Sequence, residues 1–189
     1  RKMSENNENQ QLDSFLDNKT KDLFDKLWNI IEKNINDVSI TRIDLEEKMS
    51  KVDLIVSIDK KDILNLFSQL RENENLSFDY LRCLTAVDLQ DQGIEVVYQL
   101  YSMSTKFNLT VKSMLSNDDL NIESVTSIWR GANWYERETS EMFGIIFNNH
   151  PDPRNLLLPE DMLDVFPLRK SHPLAEIEVL QGEDIEPSH

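Results

Sequence analysis

Tyr80-Leu-Arg-Cys-Leu-Thr-Ala-Val-Asp-Leu89, Ile94-Glu-Val-Val-Tyr-Gln-Leu-Tyr101 and Lys106-Phe-Asn-Leu-Thr-Val-Lys112 are three short stretches in which apolar and polar residues interleave. Only Gln90 with Asp91-Gln92-Gly93, and Ser102 to Thr105, separate them. Strands joined by connections this short run back on themselves, so the segment predicts an antiparallel meander. Such a meander needs helices from either side to cover a sheet face.

Working upstream, Val52, Leu54, Val56 and Ile58 fall on one face of a strand over 52–58, and Val38 to Ile43 supplies another, with a polar turn at 46–51 between them. Asp59 offers an N-cap, with Asp62 at the third helical position, to a helix bearing Ile63, Leu64, Phe67 and Leu70 that stops near the polar run Arg71 to Asn75. Earlier still, Leu16, Leu23, Leu27, Ile30, Ile31 and Ile35 recur at three and four spacing and predict a helix over about 13–35. Residues 1–11 contain one apolar residue and predict a disordered tail.

Downstream, Ile122 to Trp129 forms a short segment leading to Gly131 and to a helix over 132–143. All six prolines lie at Pro151 and beyond. They predict an extended arm with little internal hydrogen bonding, the composition of a segment that lies along a partner. Over 145–172 Phe147, Leu156, Leu157, Leu158, Met162 and Phe166 require burial. The predicted whole is an α+β domain over 12–147, its antiparallel or mixed sheet of about four or five strands covered by helices, followed by an extended proline-containing C-terminal arm over 148–189.

Composition narrows the function. With 35 acidic against 20 basic residues and a net charge of -15, the chain lacks the basic patches that a phosphate backbone or an anionic lipid surface requires, so its partners are expected to be proteins or neutral molecules. Cys83 is the only cysteine, so no disulfide, iron-sulfur cluster or thiolate zinc site can be built from this chain's own sulfurs. Its longest apolar runs fall far short of the roughly 20 residues that span a bilayer, so no direct membrane insertion is expected. Four glycines leave no phosphate-cradling loop, dinucleotide fingerprint or serine nucleophile elbow.

Charge, aromatics and prolines are densest from Trp134 to Asp161. A charged residue among large apolar ones is usually covered, and cover costs free energy unless the charge finds a partner. On a helical wheel Ala132, Tyr135, Thr139, Met142 and Phe143 make one apolar arc, and Glu136 and Glu138 flank it about 160° apart, too far round to share an ion. Arg137 and Glu141, four apart, are expected as an exposed pair worth about 0.3–0.5 kcal/mol. A metal centre would need His150 to return to one of the glutamates, and nothing in the spacing demands that. Glu136 and Glu138 are expected to accept from backbone donors or from Arg130, Arg154 or Arg169 at the rim of the core. His150, His172 and His189 are expected at a surface or interface, and Trp28, Trp129 and Trp134 as core or interface anchors.

These elements resemble the C subunit of NADH:quinone oxidoreductase, respiratory complex I. The resemblance rests on Glu136-Arg137-Glu138, Glu141, Phe143-Gly144, His150-Pro151, Arg154 to Pro159-Glu160 and Pro167-Leu168-Arg169-Lys170, with further similarity at Leu84 to Asp88, Glu95 to Leu100 and Val125 to Ser127, and covers about 38–174. It implies a small α+β domain that holds no cofactor of its own, FMN, iron-sulfur clusters and quinone belonging to partner subunits. It further implies a structural, non-redox place in the peripheral arm against the hydrogenase-like D subunit, on the cytoplasmic or matrix side of an energy-transducing membrane. Two alternatives remain open: the equivalent subunit of a membrane-bound hydrogenase or other-donor complex, and a free-standing metal-dependent hydrolase using Glu136, Glu138 and His150.

Overall fold

A computed structural model describes residues 21–43, 53–159 and 165–172. Residues 21–34 are helical (α1) and bury Leu27 and Ile31, the three-and-four stripe expected of them; the earlier part of the predicted helix lies outside the described residues. The order continues with β1 (Ile40–Ile43), β2 (Leu54–Ile58), α2 (Ile63–Glu72), β3 (Tyr80–Asp88), β4 (Ile94–Tyr101), β5 (Asn108–Leu115), β6 (Asn121–Glu123), α3 (Ala132–Phe143) and β7 (Ile146–Asn148).

Five strands form one mixed sheet in the order β1-β2-β5-β4-β3. The meander is present: β3 pairs antiparallel with β4, and β4 with β5, in register from Ile94↔Leu115 to Tyr101↔Asn108. Pairing of β2 with β5 is parallel, Leu54 opposite Leu109, because the chain leaves β2 through α2 and reaches the far edge at β3 before coming back. Every second residue of β4 and β5 points inward, so Ile94, Val96, Tyr98, Leu100, Leu109, Val111 and Leu115 join Leu54, Val56 and Ile58 beneath α1 and α2. In the turn from β3 to β4, Gly93 stands at φ 107°, where a Cβ would sit 2.1 Å from the Leu115 carbonyl oxygen. Only glycine fits both conditions.

Phe67 of α2 meets Tyr98 of β4 and Trp129 edge-on, with centroids 4.9 and 5.2 Å away, and the Trp129 indole N–H donates to the Phe78 carbonyl at 3.2 Å. Trp129 thus anchors the loop that launches α3, as a core tryptophan should. β6 and β7 add a separate two-stranded parallel ribbon, Ile122 opposite Phe147. Sequence reasoning left both in irregular segments, since three residues are too few to show a period.

Candidate functional site: the corner around α3

α3 starts at Ala132 without a side-chain cap and ends at Gly144, which adopts φ 73° and donates its N–H to the Ser140 carbonyl at 2.7 Å. A Cβ on Gly144 would meet Arg169 Nη2 at 2.7 Å and the Phe166 ring at 2.8 Å. The reason is that Arg169 closes the helix end: its Nε donates to the Phe143 carbonyl at 2.7 Å, and its guanidinium carbon lies 4.5 Å from the Phe166 ring centre. Leu168 donates its N–H to the Met142 carbonyl at 3.2 Å, and Lys170 donates its N–H to Asp88 at 2.7 Å. That bond and one from the Gln90 N–H hold the Asp88 carboxyl below its ordinary range. Two parts of the proline-bearing arm, 150–159 and 165–172, are therefore hydrogen-bonded to their own domain rather than standing free of it.

The expected exposed Arg137–Glu141 pair is replaced by two separate jobs. Glu141, 6% exposed, accepts the backbone N–H groups of Leu156, Leu157 and Leu158 at 3.0, 2.9 and 3.2 Å. Arg137 donates to the carbonyls of Arg154 and Asn155 at 2.6 and 2.7 Å. One helical turn supplies a carboxylate for a run of donors and a guanidinium for a run of acceptors, so a segment with no regular structure has its backbone satisfied. The wheel put both residues outside because it carried no knowledge of the chain that returns over them. Asp152, held down to about 2 by Arg154 with help from Arg137, ties the same segment from its start. Leu157 itself remains 61% exposed, contrary to the expected burial, and Met162 and Glu160 lie outside the described residues.

Glu136 is fully buried, not at a rim, and accepts the Val125 N–H at 2.7 Å. This is the backbone-acceptor role expected of it, without an arginine. Burial pushes its carboxyl up to about 7, against the opposing pull of the Ser124 hydroxyl and the Val125 N–H. His150 does return to it, against the sequence reading: with its side chain 2% exposed, Nε2 lies 3.8 Å from Glu136 Oε2 and 3.1 Å from the Asn133 carbonyl oxygen. Pairing of β7 with β6 turns the chain back beside α3 and brings the imidazole there.

Glu138 behaves differently. It faces an open cleft of about 1090 Å³ lined by Tyr80, Leu81, Arg130, Trp134, Tyr135 and Leu156 among others. Trp134 is 68% exposed and Tyr80 47%. The side chains of Glu138 and Arg130 take part in no hydrogen bond or ion pair with a described residue. Glu136 and His150 line a different, smaller cavity of about 210 Å³. The trio required by a hydrolase therefore does not converge, and among the described residues no group of three or more His, Cys, Asp or Glu is placed to hold a metal ion. No helix of the described residues is long and apolar enough to cross a membrane.

A mixed five-stranded sheet, covered by helices on one face and flanked by a charged corner that its own downstream segment closes, defines an α+β class of domain. The family model described as "Respiratory-chain NADH dehydrogenase, 30 Kd subunit" matches residues 56–178, and the chain belongs to that family. It is 38% identical over 145 residues to the C subunit of the NADH-quinone oxidoreductase of Geotalea uraniireducens, covering 76% of this chain and 83% of that one. It is also 46% identical over 99 residues to the C subunit of the F(420)H(2) dehydrogenase of Methanosarcina mazei, covering 52% of this chain and 63% of the other. A chain of the membrane-bound sulfane sulfur reductase, an archaeal respiratory membrane complex, shares the fold with a TM-score of 0.68 at 20% identity, over 86% of this chain and 95% of that one.

Proposed function

We propose that this chain is a non-redox structural subunit in the peripheral arm of a proton-pumping NADH:quinone oxidoreductase, where it supports the hydrogenase-like D subunit near the quinone site on the cytoplasmic or matrix side. The observation that carries the reading is the open flank of α3. Trp134 and Glu138 of α3 and Tyr80 of β3 stand exposed around one cleft, the other charges of α3 being already taken up, and exposed aromatics beside a charge that no described residue pairs are what an assembly interface uses. FMN, iron-sulfur clusters and quinone belong to partner subunits in this reading, which rests on the lone Cys83 and on the backbone duties of Glu136 and Glu141.

The experiment is affinity purification of the full chain from its native membrane, with mass spectrometry of what accompanies it, for the unaltered chain and for W134A and E138Q. Recovery of a hydrogenase-like partner and NADH-oxidising activity with the unaltered chain, and its reduction by both variants, is the expected result. Normal assembly of E138Q with dead electron transfer would sink the positional role. A second reading, the same role in a complex with another electron donor, is favoured by the similarity to the F(420)H(2) dehydrogenase chain. The input module that co-purifies decides between the two.

A further inference from the structure

Half of the Glu136 carboxyl is unused. Oε1 takes the Val125 N–H, while Oε2, also buried, has no hydrogen-bond partner among the described residues. Glu136 borders the cavity of about 210 Å³ together with Arg137, Ser140, Ile146, His150 and Pro153. Buried polar atoms are almost always paired, and a space large enough for water next to an unpaired one is where an ordered water is found.

The neighbouring side chains do not supply that partner. His150 Nε2 stands 3.8 Å from Oε2, too far for a direct hydrogen bond. Its two nitrogens are already committed: the Asp152 N–H donates to Nδ1 at 3.0 Å, which places the ring proton on Nε2, within 3.1 Å of the Asn133 carbonyl oxygen. Arg137 spends its guanidinium on the Arg154 and Asn155 carbonyls. Ser124 and Tyr98 are the other groups that act on the carboxyl: the Ser124 hydroxyl is bonded to that of Thr126 at 2.7 Å, and the Tyr98 phenol, which makes no hydrogen bond with a described residue, is pushed well up by its own burial and further by the Glu136 charge.

We propose that the cavity beside Glu136 is a water-binding site, in which Glu136 holds a proton on Oε2 that it exchanges with solvent through the bound water. In the acid form Oε2–H donates to the water. When the carboxyl ionises, its proton leaves by way of that water, which then turns to donate to Oε2, so one molecule serves both states. The exit lies past Ile146, which lines the cavity and is 58% exposed. Burial, which lifts this carboxyl to about 7, agrees with a proton retained near neutral pH. The inference is independent of the docking role, since it concerns the opposite flank of α3.

Two measurements on the unaltered full chain test it. A crystal structure is expected to show water within hydrogen-bond distance of Glu136 Oε2; an empty cavity overturns the site. Carbon-detected NMR of the chain labelled at glutamate carboxyls is expected to show one resonance with a midpoint near pH 7, and E136Q to lack it. Should E136Q not fold, through-bond correlation in the unaltered chain assigns the resonance. A Glu136 midpoint at the ordinary value of 4.5 overturns the proton-holding half of the proposal.

Discussion

Two sets of side chains on α3 are similar in kind and are used in opposite ways. Glu136, Arg137 and Glu141 are occupied by backbone groups of Val125, Arg154, Asn155 and Leu156 to Leu158. Trp134 and Glu138 face an open cleft, and no described residue pairs with Glu138. Charge density on a helix therefore does not mark a reactive centre by itself. A carboxylate that has become the acceptor for three amide groups is part of the scaffold, whereas one that no described residue pairs is the candidate for contact with another surface.

The contrast can be broken hardest at Glu141. Replacing it with Ala leaves three amide N–H groups without their acceptor, and we expect a loss of about 3 kcal/mol in urea denaturation. A loss below about 0.5 kcal/mol would mean that the 154–158 segment is not held by this carboxylate.

Next comes Glu136, through pH. Its carboxyl is raised from 4.5 to about 7 in the folded state, so the folded chain keeps a proton that the unfolded chain gives up. The contribution of Glu136 to stability should be fully present below pH 4.5, fall as pH rises toward 7, and be lost above that, a decline of about 3 kcal/mol. E136Q should lack this slope in chemical denaturation across the same range. An identical slope in both proteins would assign the dependence elsewhere.

A smaller effect, about 2 kcal/mol, is expected for Gly144→Ala, which forces a side chain into φ 73° and against Arg169 and Phe166. Thermal unfolding reads it directly, and an unchanged midpoint would show that the end of α3 gives way easily. The smallest effects on folding belong to W134A and E138Q, each within about 0.5 kcal/mol of the parent because neither side chain is buried. These two should instead weaken recovery of partner subunits. A large stability loss in either would erase the distinction between the two sets.

Much of this could be read from residue patterns. The inward rows of β2 and β4, the boundaries of α3 and the capping of the turn before α2 by Asp59 follow from local periodicity and local hydrogen bonding, which the chain expresses within a few residues. Separation of Glu136 from Glu138 around the helix was equally legible, because 100° per residue is a property of the helix alone. Exposure of Arg137 and Glu141 was misjudged for the complementary reason: their partners lie 15 to 18 residues away, in a segment without periodicity.

The sequence by itself thus determined the types of the longer elements, their buried faces, the absence of a second cysteine and the family to which the chain belongs. Tertiary structure alone decided that β2 lies parallel to β5, that His150 comes back to Glu136, and that Glu141 gathers three amides while Glu138 gathers none from the described residues. The division has a physical basis. Periodicity fixes where a side chain points relative to its own backbone, whereas the partner it meets, and the burial that moves its proton affinity, depend on segments brought close only when the whole chain folds.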